Sequence, residues 1–386
     1  MKNFFLLFFL TVFVGELNTT AFIEAVFAAN QFSNEILKSY LNMDNKNVAF
    51  SPISIWRTLN MIFYGASGNT KKEIESILNL KGINDITKAM QNVKEIISNG
   101  THLAENIWVD DSFPILDSFK EKIEQVESGS FKDSPEKMLS IINQWVQKQT
   151  SNQIKEFFHD GDIDESTKLV LVSALSFKGL WKTPFKKENT HKKKFYLEHG
   201  TEQEGDFMYR SGKLNIIEEG NLFIEIPYEN DNFTFIVTLP KEGLKINEFA
   251  KNQTAFAIQK LFKRLNKRDS THLKTESDLY LPKFRIDHKV DLKGLLEEMG
   301  IRDLFTPMKA DLSGISFDHR LYCSSAIHRA VVEVDEEGTK IEAATGSGYS
   351  LMSMPFGFVI NRPFLFHIIH RKTGLILFTG VIKDLN

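Results

Sequence analysis

Histidines are the first residues in this chain that could do chemistry, and there are ten of them. His367 and His370 come nearest to a metal-binding pair. They fall in a strand-like run at odd spacing, however, and so point to opposite faces, which suits joint ligation poorly. His328 lies in Ala326–Val334, where two-residue periodicity groups it with Ala330, Val332 and Val334. That face is apolar, so His328 is expected to be buried and hydrogen-bonded. No nucleophile or orienting acid is recognisable near it, which argues against a general base. The chain has no Gly-x-Ser-x-Gly elbow, no His-Glu-x-x-His helix and no phosphate-cradling Gly-Lys-Ser/Thr loop. Its single cysteine, Cys323, can form neither an intramolecular disulfide nor a Cys-rich metal site. The residues therefore predict a protein that is not an enzyme, with no catalytic residues and no metal.

The more informative chemistry is that of a substrate. After the strand ending at Val334, the stretch Asp335–Gly357 holds Gly338, Gly346, Gly348 and Gly357 among serines and threonines. A loop of this length in a compact domain is normally functional or disordered. Its first half nevertheless alternates, with Thr339, Ile341, Ala343 and Thr345 against Lys340, Glu342, Ala344 and Gly346. That is the pattern of a half-buried strand inside a segment that otherwise reads as exposed.

The elements around this loop divide by position. The early part reads as helical: Phe22–Leu41, a helix opening at Ser51-Pro52 after the extended Val48–Phe50, Lys71–Leu80, and Pro135–Thr150 with Ile142, Trp145 and Val146 at core spacing. Asn106–Val109 reads as a strand. From Lys168 onward strands dominate. Leu169–Leu175 is a continuous apolar run, expected of a strand buried on both faces. Phe223–Pro227, Phe233–Leu239, Leu279–Ile286, Phe364–Ile369 and Leu375–Ile382 follow, with a helix at Leu292–Met299. The fold class is α+β with extensive antiparallel sheet.

The chain has 386 residues, 42% hydrophobic and 25% charged, as in ordinary globular proteins. A net charge of −3 argues against nucleic acid as a partner. Lys2 followed by the apolar run Phe4–Gly15 matches a secretory signal, too short to span a bilayer, with the cut expected between about 15 and 21. The rest, residues 22–386, is read as one domain of a secreted, extracellular monomer without a membrane anchor. The sequons at Asn18, Asn99, Asn232 and Asn252 fit export as candidate N-glycosylation sites, although Asn18 lies within or beside the leader.

Several motifs in order resemble the serpins, the serine protease inhibitors. They are Asn47–Ile55 (NVAFSPISI), Gly65–Thr70 (GASGNT), Leu169–Leu175 with Phe177-Lys178-Gly179, Leu281–Phe284 (LPKF), Ala310–Ile315 (ADLSGI), Glu336-Glu337-Gly338-Thr339 and Phe358–Phe366 (FVINRPFLF). The resemblance covers about Phe22 to the C-terminus. It implies three β-sheets, eight or nine helices and an exposed reactive-centre loop. It also implies a mechanism in which a protease cuts the loop, becomes acylated, and is carried along as the loop inserts into a sheet as an extra strand. Thr339–Met352 would reach roughly 46 Å when extended. Insertion would release on the order of 10 kcal/mol at about 1 kcal/mol per ladder hydrogen bond, so the uncut form must be kinetically trapped.

Aligned without gaps from Gly338 to Pro363, the loop resembles that of antitrypsin and places the reactive bond at Met352-Ser353, with Tyr349 and Leu351 as alternatives. Methionine offers a flexible apolar side chain, implying elastase-like or chymotrypsin-like serine proteases as covalent partners. The hinge maps to Glu336, Gly338, Thr339, Ile341, Ala343, Ala344 and Thr345. Ile341 and Glu342 depart from the family's usual alanines, which leaves a non-inhibitory carrier, chaperone or storage role as the alternative. A structural shutter maps to Ser51, Ser54, Ser173 and His328. Ser173 stands where many members have asparagine, so an altered hydrogen-bond network is predicted, with inhibition retained. Some serpins bind heparin through a basic helix, and Lys260, Lys263, Arg264, Lys267 and Arg268 line up in Ala257–Arg268 so that polyanion or other glycosaminoglycan binding is a possible further property.

Overall fold

The computed structural model describes residues 20–44, 46–98, 100–177, 179–266, 274–338 and 356–385. Its nine described α-helices, in chain order, are α1 (Thr20–Met43), α2 (Pro52–Gly65), α3 (Gly68–Ile77), α4 (Ile86–Ser98), α5 (Asp117–Lys120), α6 (Pro135–Gln149), α7 (Ile246–Lys251), α8 (Ala255–Asn266) and α9 (Leu292–Met299). The strands are β1 (Val48–Phe50), β2 (Thr101–Asp110), β3 (Val126–Gly129), β4 (Leu169–Phe177), β5 (His191–Tyr196), β6 (Glu202–Glu219), β7 (Asn221–Pro227), β8 (Phe233–Leu239), β9 (Lys274–Pro282), β10 (Phe284–Asp291), β11 (Ser325–Val334), β12 (Phe356–Val359), β13 (Phe364–His370) and β14 (Ile376–Ile382).

The chain packs as two units. Of the described residues, one draws on those within 20–43, 50–176 and 288–331, the other on those within 44–49, 177–287, 332–338 and 356–385. The five-stranded sheet, in the order β10-β11-β4-β2-β3, has its centre in the first unit. Every residue of β4 is buried, as a run of apolar residues without alternation requires. Val170, Val172 and Ala174 of β4 and Ile327 and Val331 of β11 pack with Met138, Ile142 and Val146 of α6. The alternate residues of each strand, Ser173 and His328 among them, face the other side of the sheet. There α2 is buried over almost its whole length. Its start is set locally: Pro52 occupies the first turn and the Ser51 hydroxyl accepts from the Ser54 N–H.

In the second unit the hydrogen-bonded order is β1-β14-β13-β8-β7-β6-β9-β12, with β5 paired to β6. β6 is long enough to pair with β5 and β9 through one part and with β7 through its end. Two of the three sheets implied by the family resemblance are therefore continuous here through one strand. Tyr228 stacks on Trp181 at 4.7 Å, and Phe177 packs edge-on against Tyr228, Phe233 and Phe378.

The sequence reading holds for the buried elements and shifts at polar ones. The expected helix Leu292–Met299 has those bounds, capped by the Asp291 carboxylate and ended by Gly300 at φ +116°. The expected single strand Leu279–Ile286 is two strands. β9 pairs with β6 as far as Pro282, which has no N–H to extend a ladder, and β10 belongs to the other sheet. The helix expected at Lys71–Leu80 spans Gly68–Ile77, and α4, β3, β5 and β6 were not expected. His367 and His370 are both buried in β13.

Candidate functional site

The first part of the site is the junction of β4 and β11. These strands run parallel, in register from Ser325 opposite Val170 to Val331 opposite Ser176, and His328 stands opposite Ser173. The His328 Nδ1 lies 3.0 Å from the Ser173 hydroxyl, and its Nε2 accepts the Ser51 backbone N–H at 2.9 Å. The Ser173 and Ser54 hydroxyls are 2.8 Å apart. Ser51, Ser54, Ser173 and His328 are all fully buried. The four residues expected to form a shutter are thus brought together, with Ser173 bridging Ser54 and the histidine.

The backbone determines the histidine's tautomer. Because Ser51 can only donate, Nε2 must be the acceptor, so the ring proton sits on Nδ1 and is donated to Ser173. Burial pushes the His328 pKa down to about 3, and protonation of Nε2 would set one donor against another. This histidine is a neutral structural bridge across the junction.

The second part is the root of the loop, in the other unit. Glu336 is buried, yet both its carboxylate oxygens are occupied: Oε1 accepts from the Thr190 hydroxyl at 2.7 Å and Oε2 from Lys283 Nζ at 2.8 Å. Burial by itself would raise its pKa, but these hydrogen bonds prevail and hold it below the usual carboxylate value. The backbone is held as well. Phe185 N–H donates to the Glu336 carbonyl and Trp181 N–H to the Glu337 carbonyl, and the Trp181 indole donates to the Asp335 carbonyl. The Asp335 carboxylate accepts from the N–H groups of Glu337 and Gly338. Gly338 sits at φ +143°, and a Cβ there would lie 2.1 Å from the Gly179 carbonyl oxygen. Only glycine fits so close a backbone approach.

Lys283, Thr190 and Trp181 were not singled out from sequence. Lys283 carried a signal in the Leu281–Phe284 motif, where a charge interrupts an apolar run. Thr190 and Trp181 carried none, because their proximity to Glu336 is tertiary.

The basic helix is α8. Its buried side, Ile258 and Phe262, packs with Ile217, Ile236, Ile369 and Ile376. Lys260 and Lys263 are exposed, but Arg264 makes two hydrogen bonds to Glu219, at 2.6 and 2.7 Å. Asn252 is exposed at the end of α7, whereas Asn232 is half-buried. Outside the described residues lie the leader with Asn18, Asn99, Lys267 and Arg268. So do Thr339, Ile341, Ala343, Ala344 and Thr345 of the hinge, and the Met352-Ser353 bond with the alternatives Tyr349 and Leu351.

The family model described as Serpin (serine protease inhibitor) matches residues 27–385. The chain belongs to the serpin family. Among its relatives, a "Serine protease inhibitor" of Cyanea capillata is 36% identical over 355 residues, covering 88% of this chain and 92% of the relative. A "Leukocyte elastase inhibitor" of Xenopus tropicalis is 34% identical over 371 residues, covering 92% and 97%. The structure of uncleaved ovalbumin superposes with a TM-score of 0.84 at 25% identity, over 94% of this serpin and all of that chain. The α+β serpin fold is therefore shown, and with it the membership of a family of protease inhibitors.

Proposed function

We propose that this serpin is a secreted suicide inhibitor of serine proteases with hydrophobic specificity pockets, elastase-like or chymotrypsin-like. The parallel pairing of β4 with β11 carries the reading. A segment that leaves the end of β11 and folds back must run antiparallel to β11, and β4 points the same way as β11. Inserted between them, Thr339–Met352 would be antiparallel to both neighbours. One parallel ladder would be exchanged for two antiparallel ones, which are the more stable kind per residue. The protease serine would take the Met352 carbonyl as an acyl ester, breaking the bond to Ser353 and freeing its amine. Insertion would then move the ester-linked enzyme before water completes the hydrolysis.

In this reading Ser51, Ser54, Ser173 and His328 latch the junction, and Glu336, Gly338, Lys283 and Thr190 hold the loop root. The name of the Xenopus relative supports an elastase-like target. The apolar run Phe4–Gly15 supports export, and the exposed Asn252 is the best placed of the described sequons for a glycan. Heparin binding would rest on Lys260 and Lys263, since Arg264 is engaged by Glu219. Salt-dependent retention on heparin, lost in Lys260→Ala/Lys263→Ala, tests it; no retention at low salt removes it.

The deciding experiment incubates the protein with chymotrypsin, elastase and trypsin and looks for complexes that survive denaturant, with the cut bond mapped by mass spectrometry. A complex with chymotrypsin or elastase, cut after Met352, is expected. Clean cleavage without complex in every case would replace inhibition with the carrier, chaperone or storage role.

A further inference from the structure

β6 and β9 carry a polar aromatic group that strand insertion does not use. Tyr209 stands opposite Tyr280 and Ser211 opposite Asp278, and Gly357 of β12 pairs with Asp278 from the other side. Residues directly opposite, and residues two apart on one strand, share a face of the sheet. The alternate residues Met208, Leu279 and Leu281 are fully buried. Tyr209, Asp278 and Tyr280 are half-buried, and Ser211 and Gly357 are exposed, so their face is the outer one.

The group is held in place by its own contacts. The two tyrosine rings lie 4.9 Å apart, and the Tyr209 hydroxyl donates to Asp278 at 2.9 Å. Lys193 of β5 places its ammonium 4.1 Å from the centre of the Tyr280 ring. That ring thus already bears a cation of this chain. The Tyr209 ring, with the Asp278 carboxylate beside it, offers the same kind of contact to a cation from outside. An arginine guanidinium can lie on the ring and pair with the carboxylate at once. Tyrosine is also among the residue types that dominate binding at protein interfaces.

The position along the chain names the partner. Only three residues separate Ser353 from Phe356, where β12 begins opposite Ser277 of β9. Three residues reach at most about 11 Å. β9 and β6 are the next two strands of the sheet, each about 4.8 Å further on. A globular enzyme of roughly 200 residues measures roughly 40 Å across. A protease holding Met352-Ser353 in its cleft is therefore wide enough to overhang all three strands.

We infer that Tyr209, Tyr280 and Asp278 form a second contact surface for the captured protease, taking an arginine side chain from the enzyme surface beside its cleft. The surface sets which of the enzymes able to cut after Met352 is captured fastest. This rests on the inhibitory reading and on the placement of the reactive bond.

The test measures the second-order rate at which the full-length protein inactivates elastase and chymotrypsin, at low and at high salt. Tyr209→Ala/Tyr280→Ala is expected to slow capture of at least one enzyme about tenfold. Asp278→Asn should slow it about threefold and weaken its salt dependence, and Asp278→Arg should slow it further. The yield of denaturant-resistant complex per protease added should stay at the wild-type value, because the surface acts before the bond is cut. If the alanine pair fails to fold, the two Asp278 variants decide.

Wild-type rates for both enzymes in the folded variants, with complexes still formed, would overturn the surface and leave the inhibitory reading standing. Slower capture with a reduced yield of complex would overturn it too, by assigning the effect to a later step. A wild-type protein that forms no complex with either enzyme would remove both together.

Discussion

His328 and Ser173 stand directly opposite each other across the parallel β11–β4 pair, and their side chains close the junction at 3.0 Å. They belong to strands joined by no local turn, so this contact exists only when the sheet is assembled. In the proposed insertion it is the contact that the entering strand would have to break.

Replacing Ser173 by alanine should lower stability by about 1–3 kcal/mol, because the His328 Nδ1–H is then left buried without its acceptor. Chemical denaturation checks this. An unchanged midpoint would mean that the bond contributes nothing net.

At the loop root, Lys283→Ala should be more harmful than Glu336→Gln. The first leaves the buried Glu336 carboxylate charged with only Thr190 to stabilise it, whereas glutamine keeps an acceptor and removes the charge. About 2 kcal/mol is expected for Lys283→Ala, the scale of a hydrogen bond to a charged group. The partly exposed Lys283 end argues against more. Limited proteolysis near Glu336 should rise in the same order. Equal behaviour of the two variants would contradict this account of the root.

Gly338→Ala should loosen the root without touching any side-chain contact, since its Cβ would collide with the backbone at Gly179, Leu180 and Trp181. Loss of several degrees in Tm and faster cleavage by non-target proteases are expected. A variant indistinguishable from wild type would show that the backbone there yields freely.

Acid should weaken the fold through buried histidines. Burial lowers His367 from 6.5 to about 4, and His370 likewise to about 4, while His328 falls to about 3. The unfolded chain binds these protons near pH 6.5 and the folded protein does not until about pH 4. Stability is therefore complete above pH 6.5 and falls as pH drops from there toward 4. His367, with no hydrogen-bond partner on either ring nitrogen among the described residues, would account for about 3 kcal/mol of that loss. His367→Leu should flatten the acid limb of stability against pH by a similar amount. An acid limb as steep as that of wild type would assign the effect elsewhere.

What the sequence determined by itself is whatever depends on local pattern. Leu169–Leu175 reads as a doubly buried strand because an unbroken apolar run has no wet face to offer. Leu292–Met299 is bounded correctly because Asp291 and Gly300 supply its caps. The alternation from Thr339 to Gly346, read as a latent strand, falls outside the described residues. Motif order supports the family, and the family model now shows it. The misses have different causes: β5 and β6 are largely polar strands held by their neighbours, Pro282 splits a run that reads as continuous, and α4 was missed although Ala89, Met90, Val93, Ile96 and Ile97 bury one helical face.

Only the tertiary structure decided what lies across the sheet. Thr190 and Lys283 meet on Glu336 from distant strands, and Arg57 meets Glu105 from a helix and a strand. Hydrogen bonds and ion pairs form at about 3 Å, a distance that spacing along the chain does not encode. The proposed insertion of Thr339–Met352 relies on a fact only the fold supplies: β4 and β11 run the same way, so both present edges antiparallel to a chain folding back from Val334.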